Sequence, residues 1–184
     1  MRVALLLTIA LAGCAGDPSL RFAVPQPAAG DPIRIAARTV EIREVTLPTY
    51  ADSEEIFVES PGGFISSDPS LLWADQPSRA MTLSLSRLMG EITGARTAPE
   101  PWPFESIPDA RIEVRVDEMV AGADGLFRFS GQYFIGSPTE RVAERSGVFS
   151  LTAPYQSDLG IPSIANARAV VLRDLARLIA DQGF

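Results

Sequence analysis

The sequence predicts an α/β fold: a two-layer domain in which a mixed, mostly antiparallel sheet is covered by two long amphipathic helices. Three observations predict it. Arg111 to Asp117 alternates, with Ile112, Val114 and Val116 on one face and Arg111, Glu113, Arg115 and Asp117 on the other, which is the period of a half-buried strand. Met81, Leu85, Leu88 and Ile92, and again Ile164, Ala167, Val171, Leu175 and Leu178, recur at the spacing of one helix face. The order along the chain is strands, helix, strands, helix, and two apolar helix stripes are buried most simply against one sheet.

The elements follow in order. Leu20 to Val24 reads as a first strand, closed by Pro25, and the Pro- and Gly-containing stretch 25–32 as a loop. Ile33 to Val45 carries strand-like residues, with Val40 and Ile42 on one face and Thr39, Glu41 and Arg43 on the other. Leu47-Pro48-Thr49-Tyr50 breaks it, because Pro48 has no N–H to give to a ladder. Ile56-Phe57-Val58 is a short strand, Pro61-Gly62-Gly63 a turn, and Phe64-Ile65 the start of a return strand. Asp68 or Ser70 is expected to cap a helical turn holding Leu71, Leu72 and Trp73. The first full helix follows Pro77 and stops at Gly94. Residues 95–98 suit a short strand, and the four prolines between Ala98 and Pro108 an extended loop. Ala121 to Gly125 turns the chain into a partner strand, Leu126 to Ile135, with Phe127, Phe129, Tyr133 and Ile135 on one face. A third strand spans Arg141 to Thr152, with Val142 at its start and Phe149 and Leu151 at its end. Ser163 is expected to cap the last helix, with Arg168, Asp174, Arg177 and Asp181 opposite its apolar stripe.

Composition narrows the chemistry. Of 184 residues, 46% are hydrophobic, enough for a core, and 23 acids face 16 basic residues, every one of them Arg. An acidic chain without a basic cluster is poorly suited to nucleic acid. Without His there is no Ser-His-Asp or Cys-His pair and no His-bound zinc; without Lys there is no Schiff base and no P-loop. Carboxylate, Tyr or Ser chemistry remains, and neither cofactor nor metal is expected.

The one cysteine, Cys14, follows an apolar run from Val3 to Ala12, about half the ~20 residues that span a bilayer. Leu11-Ala12-Gly13-Cys14 resembles the lipobox of bacterial lipoproteins: Leu three before Cys, then two small residues. That resemblance implies diacylglycerol on the Cys14 sulfur, cleavage before Cys14 and acylation of the new amine. The other reading is a plain signal peptide and a free thiol. No second Cys exists for a disulfide. The expected division is therefore a signal peptide at 1–13, a lipidated N-terminus and short tether at 14–19, and one domain at 20–184. Ala15 after the cysteine, with the first acid at Asp17, favours outer-membrane delivery with the domain facing the periplasm.

The lipobox, the Leu47-Pro48-Thr49-Tyr50-Ala51 break and the Trp73-Ala74-Asp75-Gln76-Pro77 entry to the first helix together resemble the auxiliary lipoproteins of ABC-type transport systems, the family that includes the Pqi-type lipoprotein. The order of the later strands and the last helix also matches. The resemblance implies a non-enzymatic, outer-membrane end of an assembly that moves lipids between two membranes. Its partners would be an MCE-domain protein and an ABC or Pqi-type inner-membrane component, and it leaves room for a homo-oligomer. The alternative is a stand-alone periplasmic lipid- or ligand-binding lipoprotein, which needs an apolar cavity. A carboxylate hydrolase is a third reading, and it needs two converging acids.

Five residues are candidates for partner binding: Pro48, Tyr50, Trp73, Trp102 and Phe104. Trp is common at interface hot spots, but Trp73 would bury a large area as a wedge between helix and sheet. Tyr50 lies in a loop, where either role suits it. Trp102 and Phe104 form an exposed patch or pin the Pro-rich loop to the core. Glu54 and Glu55 imitate a carboxylate pair, but neighbours on a strand point to opposite faces.

Overall fold

The computed structural model describes residues 18–184, so Cys14 and the boundaries drawn at 13 and 19 lie at or beyond its edge, and Asp17 lies outside it. Eight strands and two helices follow one another: β1 (Leu20–Phe22), β2 (Thr39–Ile42), β3 (Glu55–Ser60), β4 (Phe64–Trp73), α1 (Pro77–Thr93), β5 (Arg96–Pro99), β6 (Ala110–Ala121), β7 (Leu126–Gly136), β8 (Arg145–Pro154) and α2 (Ile161–Gln182).

The strands form one curled mixed sheet. β6 is its spine. β7 runs antiparallel along one side of it and carries β8. On the other side β2 pairs at Val40↔Ala110 and β3 at Val58↔Ala121, both parallel. β5 then extends β2 and β1 extends β4, again parallel, while β3 and β4 form a hairpin. Four of the seven strand pairings are parallel, so the sheet is mixed and not mostly antiparallel. Alternation gives which residues face inward; it carries no sign of strand direction, which the helical and loop crossovers decide.

Both helices lie on one face of the sheet and touch each other, α1 also meeting β2 and β5, and α2 also meeting β7 and β8. Ile42, Ile112, Phe129 and Ile135 from the sheet meet Leu85, Leu88, Leu175 and Ile179 from the helices in a single core. The outer face of β6 carries Arg111, Glu113 and Arg115 toward solvent. Gly94 closes α1 in the left-handed conformation, φ 71°, its N–H donating to Gly90 O at 2.9 Å. Gly90 has its own reason: a Cβ there would sit 2.8 Å from Thr97 Oγ1, which donates to Ser86 O and draws β5 onto the helix.

Several local expectations are corrected. Residues 68–73 are strand, not a capped turn. Asp68 accepts the Ser70 N–H (2.9 Å) and hydroxyl (2.6 Å) within extended chain, and Leu71-Leu72-Trp73 pairs with β1. Of 33–45 only Thr39–Ile42 is strand, and Glu41 on its polar face is buried against Arg111. The third strand starts at Arg145, leaving Val142 outside it. Gly160 precedes α2 with no side-chain cap, and Ser163 Oγ instead accepts the Gln156 N–H at 2.8 Å. The 25–32 loop is fastened to α2 by Arg177, whose Nη1 donates to Ala29 O and Asp31 O, both at 2.9 Å.

Candidate functional site

The aromatic candidates fall into two groups. The first lies at the turn between β2 and β3. Pro48 O accepts the N–H groups of Ala51 (2.8 Å) and Asp52 (3.0 Å), folding the chain so that Tyr50 turns back on the sheet. Tyr50 Oη accepts the Met119 N–H at 3.3 Å and its ring meets Phe57 edge-on at 6.1 Å. Tyr50 and Trp73 line the same crevice with Phe57, Met119 and Phe127, of about 10 Å³, room for one water at most. Tyr50 and Trp73 are therefore brought together in one crevice, while Pro48 shapes the turn that places Tyr50. Trp73 is buried at the end of β4, its N–H donating to Glu54 O at 2.7 Å.

The second group follows β5, toward the other end of the strand order from β4. Trp102 Nε1 donates to Ser106 O at 2.6 Å, closing the Pro-rich loop on itself. Phe104 packs edge-on against Trp102 at 4.9 Å, and the Arg96 guanidinium lies over the Phe104 ring, 5.3 Å from its centre. Phe104 remains 41% exposed, and Ile107 nearby in the chain 62%. This is a preformed aromatic step on the surface.

Behind the turn a cleft of about 480 Å³ is lined by Arg43, Glu44, Asp52, Ser78, Glu100 and Glu113, among others. Its acids are tied down. Glu100 pairs with Arg43 at 2.7 Å and accepts the Glu44 N–H at 2.7 Å; Glu44 accepts from Ser78 Oγ at 3.3 Å; Asp52 accepts the Ser78 N–H at 3.2 Å. Gln76, the residue before the helix, offers no cap, so Asp52 supplies one across 26 residues to the positive end of α1. Glu113 pairs with Arg115 at 2.6 Å. The Glu54–Glu55 pair does not converge either: Glu54 meets Arg21 at 2.9 Å, and Glu55 accepts from Ser67 Oγ.

Two polar residues that sequence reasoning missed stand out. Arg168, expected on the solvent side of α2, is buried, 2% exposed. Its guanidinium stacks over Trp73 at 4.6 Å, and Nη2 donates to Pro77 O at 3.3 Å. Burial away from water pushes its pKa down to about 10. It backs a cleft of about 170 Å³ lined by Phe22, Val24, Trp73 and Ala80. The signal was present: Arg168 falls four residues after Ile164 and seven before Leu175, on the apolar stripe itself. Asp109, also buried, accepts the Arg38 N–H at 2.9 Å, the Thr39 N–H at 3.3 Å and an Arg141 N–H at 2.9 Å. Burial favours its neutral form, but these three donors together outweigh it and hold the carboxyl below the usual range. Asp109 thereby fixes the first residue of β2 beside the start of β6.

Among the described residues no group of His, Cys, Asp or Glu is arranged to hold a metal, and no helix is long and apolar enough to cross a membrane.

Comparison with known proteins gives the fold a context. A crystal structure of an uncharacterized protein superposes with a TM-score of 0.74 at 15% identity, covering 91% of this chain and all of that one. A Xanthomonas campestris protein of the family designated DUF330 superposes with a TM-score of 0.67 at 12% identity, covering 89% of this chain and 96% of the other. At these identities the likeness is one of fold. No curated protein matches the sequence. A family model described as the ABC-type transport auxiliary lipoprotein component matches residues 20–180.

Proposed function

The chain belongs to the ABC-type transport auxiliary lipoprotein family, and on that footing we propose that it is the lipid-anchored, non-enzymatic auxiliary subunit of an ABC/MCE-type intermembrane lipid transport system. The observation that carries the reading is an adjacency. The lipobox ends at Cys14, and the family match and β1 both start at Leu20, six residues on. Residues 1–13 are then a signal, 14–19 an acylated tether, and 20–184 the working domain, held at the outer membrane and facing the periplasm. More than one acyl chain on Cys14 makes the anchorage durable, since each buried CH₂ contributes about 0.8 kcal/mol.

The domain acts through protein contacts, with an MCE-domain protein and an ABC or Pqi-type inner-membrane component as its partners. Support comes from what its surfaces offer. The acids around the cleft at the start of α1 are held as a helix cap, as ion-pair ties and as hydrogen-bond acceptors, Asp52 and Glu44 both on Ser78. In the aromatic step Phe104 is exposed and backed by the half-buried Trp102, the kind of anchor interfaces use. A stand-alone lipid carrier is less well supported, because an acyl ligand needs an apolar cavity of some 300 Å³ or more, and among the described residues the clefts of about 520 and 480 Å³ both have the charged side chains of Arg43 and Glu113 in their walls.

The test is to express the full chain with an MCE-domain protein of the same organism, crosslink and purify. Recovery of the MCE protein with the wild-type chain, reduced by Trp102→Ala with Phe104→Ala, is expected. Failure to recover it from correctly acylated protein sinks the reading.

A further inference from the structure

The β3–β4 hairpin runs past the sheet that holds it. β3 meets β6 at Val58↔Ala121, and beyond that point its backbone pairs with β4, through Glu59↔Ile65 and Ser60↔Phe64. At the tip Pro61-Gly62-Gly63 reverses the chain, with φ of 105° at Gly62 and 83° at Gly63, conformations that glycine adopts freely. The turn delivers Phe64 at 74% exposure and Ile65 at 44%. A phenylalanine ring left so bare forgoes most of the stabilisation that burial would give it. From Ser60 to Ser67 there is no charged side chain, although Glu59 and Asp68 bracket the stretch. A charge-free apolar point on an acidic protein suits contact with acyl chains better than contact with water.

Position supplies the second argument. β1 is parallel to β4, with Leu20 beside Leu71 and Phe22 beside Trp73, so the chain enters β1 from the side on which β4 begins, which is the hairpin tip. Leu20 lies six positions after Cys14, and Leu71 six positions after Ile65. Six extended residues reach at most roughly 20 Å. β4 is bulged on the way, the five steps from Ser67 to Leu72 facing only two from Phe57 to Glu55, so the tip lies nearer to Leu20 than six extended residues would put it and within the reach of the tether.

We infer that Phe64 and Ile65 enter the surface of the bilayer that anchors the chain, making the hairpin tip a second, uncharged membrane contact. The acyl group fixes where the domain is held; two contacts together fix which way it faces, and so which surface is left for partners. The inference rests on the acylation of Cys14 proposed above.

The test uses the full chain in vesicles of phosphatidylcholine and phosphatidylethanolamine, with and without brominated acyl chains. Acylation leaves no free thiol, so Phe64→Cys, and separately Ile65→Cys, takes a single environment-sensitive fluorophore; Val148→Cys, 79% exposed on β8, is the control. Mass spectrometry reads the state of Cys14 in each preparation. Blue-shifted emission, quenched severalfold by bromine at 64 and 65 but not at 148, is the expected result. Emission at 64 and 65 that stays water-like in acylated protein overturns the inference and leaves the anchor intact. Emission that is shielded but not quenched means that protein, a partner or a second copy, covers the tip, and also overturns it. Where Cys14 proves bare, Cys14→Ser keeps the label single: quenching at 64 then upholds the membrane contact while the anchor reading falls, and no quenching overturns both.

Discussion

The guanidinium carbon of Arg168 lies 4.6 Å from the centre of the Trp73 ring, and the pair fastens α2 to the strand that carries the hairpin. Burial, with no carboxylate in support, is what lowers the pKa of Arg168. Cation–π attraction in a desolvated site is worth about 2 kcal/mol, and one hydrogen bond to Pro77 O adds to it. These offset only part of the cost of taking a guanidinium out of water.

Replacing Arg168 by an apolar side chain of similar length should therefore cost little. Arg168→Met is expected to stay within about 1 kcal/mol of wild type or to exceed it, whereas Arg168→Ala, which leaves a hole beside Trp73, should lose about 2–4 kcal/mol. Urea midpoints of the two variants decide. Equal losses would mean that the charge itself is required.

Asp109 makes a pH-dependent contribution. Its folded pKa is held below the ordinary carboxylate value of about 3.9, so the stability it supplies is complete above that value and is lost as pH falls through the folded one. Asp109→Asn keeps the shape but lacks the charge for Arg141 and should cost about 1–3 kcal/mol at neutral pH. The gap between wild type and variant, followed by urea midpoint from pH about 6 downward, should narrow below pH about 4. A gap that does not change with pH would assign the loss to geometry alone.

How much of this was legible in the sequence depends on the kind of signal. The stripe of α1 and the alternation of β6 each repeat over several periods and are found where the spacing placed them, whereas on α2 Ile164, Ala167, Val171 and Leu175 are buried as expected but Leu178 is only half-buried and Ile179 takes its place in the core. β4 was hidden because Asp68, Ser70 and Leu71-Leu72-Trp73 resemble a capped helical turn, while its pairing with β1 lies 51 positions away in the chain. The parallel pairings have no local signature at all. Arg168 sits on the apolar stripe, but its charge argues for the solvent side, and its partner Trp73 lies 95 positions away in the chain. Burial of a cation is legible only when the aromatic that receives it is known to be adjacent. Asp109 followed a proline in a loop, and nothing local marks the three donors that converge on it. The exposure of Phe64 and Ile65 was equally silent, since a return strand beginning with two apolar residues gives no sign that it overshoots its sheet.

The long-range cap on α1 gives a further prediction. Asp52 accepts the Ser78 N–H, doing what Gln76 does not. Asp52→Ala should lose about 0.5–2 kcal/mol, as removal of an N-cap does, and Asp52→Asn should retain most of it because the amide oxygen still accepts. Thermal melts at high salt separate the hydrogen bond, which persists, from the attraction of the carboxylate to the helix end, which is screened. Identical losses in both variants would show the charge to be the active part.

Gly131 marks where the long β6–β7 pair changes register. Val116 faces Gly131, and the next pair is Glu118↔Ser130, so Asp117 is an extra residue that bends β6. The bend drives backbone into the space a side chain would fill: a Cβ on Gly131 would lie 2.9 Å from Val116 Cα and closer still to Arg115 O. Neither obstacle is a movable side chain, so the strands would have to part or the bulge relax, and relaxing it by one residue would turn the outward Arg111, Glu113 and Arg115 toward the core. Gly131→Ala should thus cost about 1–3 kcal/mol or more. Gly136→Ala, at the end of the same strand with nothing within 4 Å of its Cβ, should stay within about 0.5 kcal/mol. Urea midpoints of the two variants compare the same substitution on one strand, and equal values would show that the bulge does not hold the sheet's curvature.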